Sequence, residues 1–245
     1  MSTANYKAIL FDLDGTLLQV EMRHFIPRYI AGFHNCCGDL IDFEPLQRAM
    51  RSGIRLLLET VDGSQSNEDR LFAFVAAQLE VNEHLLRERF ARFLQTGLAE
   101  LSDAVLPIAE TPFLLEHCRK AGMPLVLATN PVFPRALIEA RCRWAGIDLD
   151  VFAFLTCFEN SRHCKPQSGY FRDIAAELKV EPEACLMIGN DTSHDLAATD
   201  AGMTTWLVDS FLLEREGPSW EPDFRGDHRQ LLTYLREQVR IPSAR

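Results

Sequence analysis

The chain has 245 residues, 47% of them hydrophobic, which is enough for one large domain or two modest ones around a real core. Its 25 Lys and Arg stand against 35 Asp and Glu, and the resulting net charge of −10 argues against a general nucleic-acid binder, whose affinity needs basic surface. No stretch approaches the length of a membrane span, and no signal peptide fits ahead of the first apolar run, so neither a membrane nor an export route is expected. Cys36, Cys37, Cys118, Cys142, Cys157, Cys164 and Cys185 form an odd set with no Cys-x-x-Cys pair. Reduced thiols in a cytoplasmic setting are therefore expected, rather than a zinc site or a disulfide framework.

The first element is an apolar strand from Lys7 to Phe11 that runs into Asp12-Leu13-Asp14-Gly15-Thr16. Period-two alternation places Asp12 and Asp14 on one side of the strand end and turns Leu13 toward the core. Two adjacent carboxylates either repel, raising one proton affinity, or share a divalent cation. Gly15 allows a sharp turn just beyond them.

From about residue 22 to 98 only helix-period patterns occur. Four amphipathic runs, Arg23 to Cys37, Glu44 to Thr60, Asn67 to Val81 and Glu83 to Gln95, suit a small antiparallel bundle. Gly53 inside the second run costs about 1 kcal/mol relative to Ala and points to close packing or a bend. Arg48, Arg51 and Arg55 share one face of that run, as either an anion-attracting surface or a solvated one.

From residue 110 the rhythm becomes helix, strand, helix, strand. Strands are expected at Leu125 to Ala128, Phe152 to Cys157, Cys185 to Ile188 and Thr204 to Val208. Helices are expected up to Ala121, then at Pro134 to Ala145, Ser168 to Lys179, Ser193 to Ala201 and His228 to Val239. Such alternation predicts an α/β fold with a doubly wound, Rossmann-like parallel sheet covered by helices on both faces. The first strand has no partner nearby in sequence and must join that sheet. The expected division is thus a core of residues 1–16 and 105–245, with residues 17–104 inserted as an all-helical cap.

Functional groups of open parallel sheets gather at the carboxyl ends of the strands. Leu125 to Ala128 ends in Thr129-Asn130-Pro131, which is either a cradle for an anionic oxygen or an ordinary turn. Lys165 precedes Pro166 and is thereby held extended. The segment Ile188-Gly189-Asn190-Asp191-Thr192-Ser193-His194-Asp195 places two more acids after a strand, where caps are the plainer reading.

Together, the order and spacing of these residues resemble the haloacid dehalogenase superfamily, over nearly the whole chain. The resemblance implies that Asp12 is a nucleophile forming an aspartyl-phosphate and Asp14 an acid and base. It implies that Thr129 and Asn130 bind phosphoryl oxygens and that Lys165 steadies the nucleophile. Mg²⁺ would be held by Asp12, Asp191 and the backbone carbonyl of Asp14, with Asp195 acting from behind, partly through Lys165. Asn190 departs from the usual pattern, where a Gly precedes the acid, and Ser168-Gly169 replaces a proline-containing sequence. Because relatives that cleave carbon–halogen or carbon–phosphorus bonds lack the second Asp, the expectation is a magnesium-dependent phosphatase of a small phosphorylated metabolite. A sugar phosphomutase is the alternative, since mutases share all four motifs, and His24 at the start of the first cap helix is either a residue that assists proton transfer there or an exposed histidine on an amphipathic helix; a 2-haloacid dehalogenase and an inert binding protein rank lower.

Overall fold

The computed structural model describes residues 6–218 and 220–241. Six parallel strands form one sheet: β1 (Ala8–Phe11), β4 (Leu125–Leu127), β5 (Phe154–Leu155), β6 (Cys185–Gly189), β7 (Thr204–Val208) and β8 (Phe224–Gly226). Their order across the sheet is β5-β4-β1-β6-β7-β8, so the first strand is central and pairs with two strands more than a hundred residues away. It is apolar at every position because it is covered on both faces. Ile9 and Phe11 join one core cluster and Ala8 and Leu10 the other, as period two requires. This is a doubly wound, Rossmann-like α/β sheet. Helix α7 (Ser168–Leu178) packs on one face, while α5 (Thr111–Lys120), α6 (Arg135–Trp144) and α8 (His228–Gln238) contribute to the core of the other.

Four helices lie between β1 and β4 in the chain: α1 (Met22–Cys37), α2 (Phe43–Glu59), α3 (Asn67–Leu79) and α4 (Glu83–Thr96). Ser66 caps α3 by accepting from the Asp69 amide, and Asn82 caps α4 by accepting from the Leu85 amide. Gly53 lies where α2 and α3 meet; a Cβ there would fall 2.5 Å from Leu71 Cδ1, so close packing is the reason for the glycine. A two-stranded antiparallel ribbon joins the helical block to the sheet. In it β2 (Leu18–Val20) pairs with β3 (Val105–Pro107), Leu18 opposite Pro107.

The helical block shares its core with the sheet. Phe133 packs edge-on against Tyr29 at 5.4 Å and Phe25 at 6.3 Å, and Phe158 meets Phe72 and Phe90, both at 6.2 Å. Pairs of this kind contribute about 0.5–1.5 kcal/mol each beyond area burial. No helix among the described residues is long and apolar enough to cross a membrane.

Three local expectations change. Residues 193–201 form a turn followed by a 3-10 segment, Leu196–Ala201, instead of an α-helix; the Asp191 carboxylate accepts the Ser193 and His194 amides in the turn, and Gly202 at φ +93° closes the segment. The strand expected at 152–157 shrinks to Phe154–Leu155: Phe152 closes a 3-10 turn on Leu149, and Asn160 Oδ1 accepts the Cys157 amide. Strands β2, β3 and β8 add to the expected set.

Candidate active site

The carboxyl ends of β1, β4 and β6, with the loops that follow β5 and β7, enclose a cavity of about 290 Å³ roofed by α1 and α2. Asp12, Asp14, Thr129, Asn130, Lys165, Asp191 and Asp195 all line it. Sheet topology does the assembling, since β1 lies between β4 and β6 and brings its acids beside the residues that follow both neighbours.

At the centre is a buried charge relay. Lys165, 1% exposed, donates from Nζ to Asp12 Oδ1 at 2.8 Å and to Asp195 Oδ1 at 2.6 Å. Burial opposes its charge, but Asp12 and Asp195 outweigh that penalty and hold the ammonium above the ordinary lysine range. Asp195 also accepts the Asp191 amide at 3.0 Å, so one carboxylate orients both Lys165 and the neighbouring acid. Asp191 Oδ1 accepts the Ser193 and His194 amides at 3.0 and 2.9 Å, and its Oδ2 lies 2.5 Å from Arg215 Nε.

Asp14 follows Asp12 by two residues, and its side chain is about one-quarter exposed. Its Oδ1 forms an ion pair with Arg141, a fully buried residue of α6 that the sequence reading had not singled out. The Arg141 guanidinium lies over the rings of Phe25 and Phe133, 5.3 and 5.8 Å from their centroids. Burial lowers its pKa to about 10, so it remains cationic at neutral pH.

Gly15 turns the chain after Asp14 at φ +80°, and a Cβ there would fall 2.1 Å from Asn190 Nδ2. Asn190 fills that space and donates to the Phe211 carbonyl at 2.5 Å, tying the loop after β6 to the loop after β7. The departure from the usual glycine therefore has a local role.

Thr129 lines the cavity, and its backbone carbonyl accepts from Thr156 Oγ1 and Tyr170 Oη. Asn130 Nδ2 reaches the Lys165 carbonyl and His194 Nδ1, both at 3.4 Å, and its Oδ1 is buried without a partner among the described residues. Burial, assisted by Arg215 and Lys165 and opposed by Asp191, pushes the His194 pKa down to about 4. That imidazole is neutral at physiological pH.

His24 is placed elsewhere. It is exposed on the first turn of α1, 2.7 Å from Glu21, and does not line the cavity. Met22 and Ile26, one turn apart, occupy the inward face, and a residue two positions from each points away. Arg48, Arg51 and Arg55 are likewise exposed, and Arg48 lies 3.6 Å from Glu44. The sequence reading missed Arg141, Arg215 and His194. The Ser-His pair between Asp191 and Asp195 was the one visible signal, because chain proximity alone carries His194 into the site.

Among the described residues no cluster of three acidic, His or Cys side chains forms a closed metal cage. Magnesium is commonly held instead by one or two carboxylates together with water and substrate phosphate. The hard oxygen donors of Asp12 and Asp191 in one cavity fit that mode.

The family model for haloacid dehalogenase-like hydrolases matches residues 6–202. The chain is 25% identical over 240 residues to the N-acetylmuramic acid 6-phosphate phosphatase of Pseudomonas aeruginosa, covering 96% of this chain and 97% of that protein. It is 27% identical over 227 residues to pyrophosphatase PpaX of Anoxybacillus flavithermus, covering 90% and 92%. The crystal structure of the L-2-haloacid dehalogenase RSc1362 superposes with a TM-score of 0.59 at 18% identity, over 95% of this chain and all of that one, and shares the fold. With four-fifths of its length matched by the family model, the chain belongs to the haloacid dehalogenase-like hydrolases.

Proposed function

We propose that this enzyme is a magnesium-dependent phosphatase that cleaves a small phosphate monoester through an aspartyl-phosphate on Asp12, with residues 17–104 acting as a cap over the site. The observation that carries the reading is the Asp12–Lys165–Asp195 relay with Asp14 at the same strand end. Lys165 occupies Asp12 Oδ1 and leaves Oδ2 available for attack on phosphorus. As the P–O ester bond breaks, its electron pair passes to the leaving oxygen, which takes a proton from Asp14. Asp14 then accepts a proton from the water that attacks the aspartyl-phosphate, which restores Asp12 and releases inorganic phosphate. The Thr129 hydroxyl and the Asn130 amide hold phosphoryl oxygens.

Mg²⁺ would be held by Asp12, Asp191 and the Asp14 carbonyl, and when bound it offsets the phosphoryl charge that clustered carboxylates otherwise repel. The phosphatase names of the relatives support the reaction class. Retention of Asp14 supports phosphate esters over carbon–halogen bonds. A phosphomutase would share these motif residues, but His24, the histidine that would assist proton transfer in one, is exposed and stands outside the cavity. The test is hydrolysis of p-nitrophenyl phosphate with and without Mg²⁺. Asp12→Asn should lower turnover by about 10³-fold or more, and full activity in that variant would overturn the mechanism.

A further inference from the structure

The phosphoryl end of the cavity is polar and charged, but its roof is not. Met22 and Ile26, one turn apart on α1, and Ile54 and Leu58, one turn apart on α2, face the carboxylates, and Val132 and Phe133 extend this wall from the loop after β4. None of these six side chains offers a strong hydrogen-bond donor or acceptor. The polar residues of the same helices are turned to solvent: His24 pairs with Glu21, and Arg48, Arg51 and Arg55 are exposed.

Cations in the lining are already engaged. Lys165 is held by Asp12 and Asp195, and Arg215 by Asp191. His194 is neutral. A leaving group bearing a second phosphate, a carboxylate or several hydroxyls would give up hydration here without gaining partners, whereas an apolar one gains burial.

The roof is also fixed in place. Gln167 Nε2, two residues after Lys165, donates to the Leu58 and Thr60 carbonyls at 3.1 and 2.6 Å, which pins the end of α2 above the site. The start of α3 is anchored by the Asn67 amide on the Ser161 carbonyl at 2.8 Å and the Glu68 amide on the Phe158 carbonyl at 2.9 Å. A pre-formed apolar wall selects its ligand by shape and burial, without a polar lid supplied later.

We propose that the substrate is the phosphate monoester of a small uncharged alkyl or aryl alcohol, its apolar leaving group seated against Met22, Ile26, Ile54 and Leu58. This rests on the phosphatase reading of the same site. The bonds made and broken are those given above, and the alcohol departs with the proton from Asp14.

Kinetics with Mg²⁺ should compare esters of primary alcohols, so that leaving-group basicity is nearly constant: n-pentyl phosphate and 2-phenylethyl phosphate against glycerol 3-phosphate and phosphoglycolate. Acetyl phosphate serves as a small donor that barely touches the roof. The expected result is a kcat/KM at least about 30-fold higher for the apolar esters, expressed mainly in KM, as burial of several methylenes allows. Binding of n-alkylphosphonates, followed by calorimetry, should tighten roughly threefold per added methylene until the cavity is filled. Ile54→Asn, at a partly exposed position, should narrow the pentyl-to-glycerol ratio at least about fivefold, with folding checked by thermal melting. Arg51→Ala, on the exposed face of the same helix, should leave that ratio unchanged. Equal or better turnover of the glycerol or glycolate ester, or a flat phosphonate series, would overturn the apolar assignment and leave a phosphatase. Failure to hydrolyse every ester and acetyl phosphate would overturn the phosphatase reading, and this proposal with it.

Discussion

Replacing Lys165 by Met removes the cation that bridges two buried carboxylates while keeping nearly the same side-chain length. Lys165 and Asp195 are each 1% exposed and Asp12 is 8% exposed, so neither acid can regain full hydration when the ammonium is lost. Breaking such a pair from one side costs about 3–5 kcal/mol, a large share of a typical folding stability of about 5–15 kcal/mol. In the native protein Asp12 and Asp195 hold the lysine pKa above its unfolded value. Its contribution is thus complete at every pH below about 10 and is lost only as pH rises through the folded value.

The variant should behave differently between pH 4.5 and 8. Burial, with the Asp12 charge, already holds the Asp195 carboxyl above the usual carboxylate range and Lys165 opposes that shift, so in the variant the folded state binds more protons at Asp195 than the unfolded one and stability falls as pH rises. Urea unfolding in the presence of chelator measures this directly, with a deficit greatest at pH 8 and partly recovered at pH 5. The double variant Lys165→Met with Asp195→Asn, which removes one stranded charge, should regain part of the loss at pH 8. A deficit under about 1 kcal/mol at neutral pH, or one independent of pH, would refute the account of Lys165 as the balancing charge of the site.

Three further outcomes follow from the same geometry. Asp14→Asn should slow an alkyl phosphate by about 10²–10⁴-fold and p-nitrophenyl phosphate far less, since nitrophenolate leaves without a proton; equal losses would remove Asp14 from the acid role. Arg215→Gln frees Asp191 Oδ2 from a half-exposed guanidinium and should tighten Mg²⁺ binding by roughly twofold to fivefold in a calorimetric titration, whereas weaker binding would show that Arg215 does not compete for that oxygen. A thiol reagent at pH 8 should titrate Cys36 quickly and the other six cysteines only after denaturation. Burial pushes Cys118, Cys142, Cys157 and Cys164 up to about 12, so fast reaction at two or more sites in the folded protein would contradict this packing.

Local sequence determined the elements that carry a strong period or composition. The apolar run at residues 8–11 is a strand because both of its faces are covered, and the four helices between 22 and 96 follow amphipathic patterns whose ends are marked by caps such as Ser66 and Asn82. The acids, Thr129 and Lys165 were legible as a set because strand ends of a parallel sheet converge, so the positions of chemical groups along the chain forecast their meeting in space. Edge strand β8, with the sequence Phe-Arg-Gly, lacks an apolar run, and β2 and β3 find each other only across the whole helical block. Neither has a local signal strong enough to specify it.

Tertiary structure decided the environment of each group. Arg141 shares its helix with Arg135 and Arg143, and nothing in the local sequence marks it out from them. Only the packing of α6 beneath the end of β1 buries Arg141 against Asp14, with Phe25 and Phe133 around it. The roof is a similar case: Met22, Ile26, Ile54 and Leu58 look like ordinary core positions until the docking of α1 and α2 leaves them facing a cavity. Periodicity reports which side of a helix is apolar, but it does not report whether that side meets another helix or an enclosed space. That distinction is set by contacts between residues far apart in the chain, and here it separates the chemistry, largely written in the sequence, from the choice of substrate.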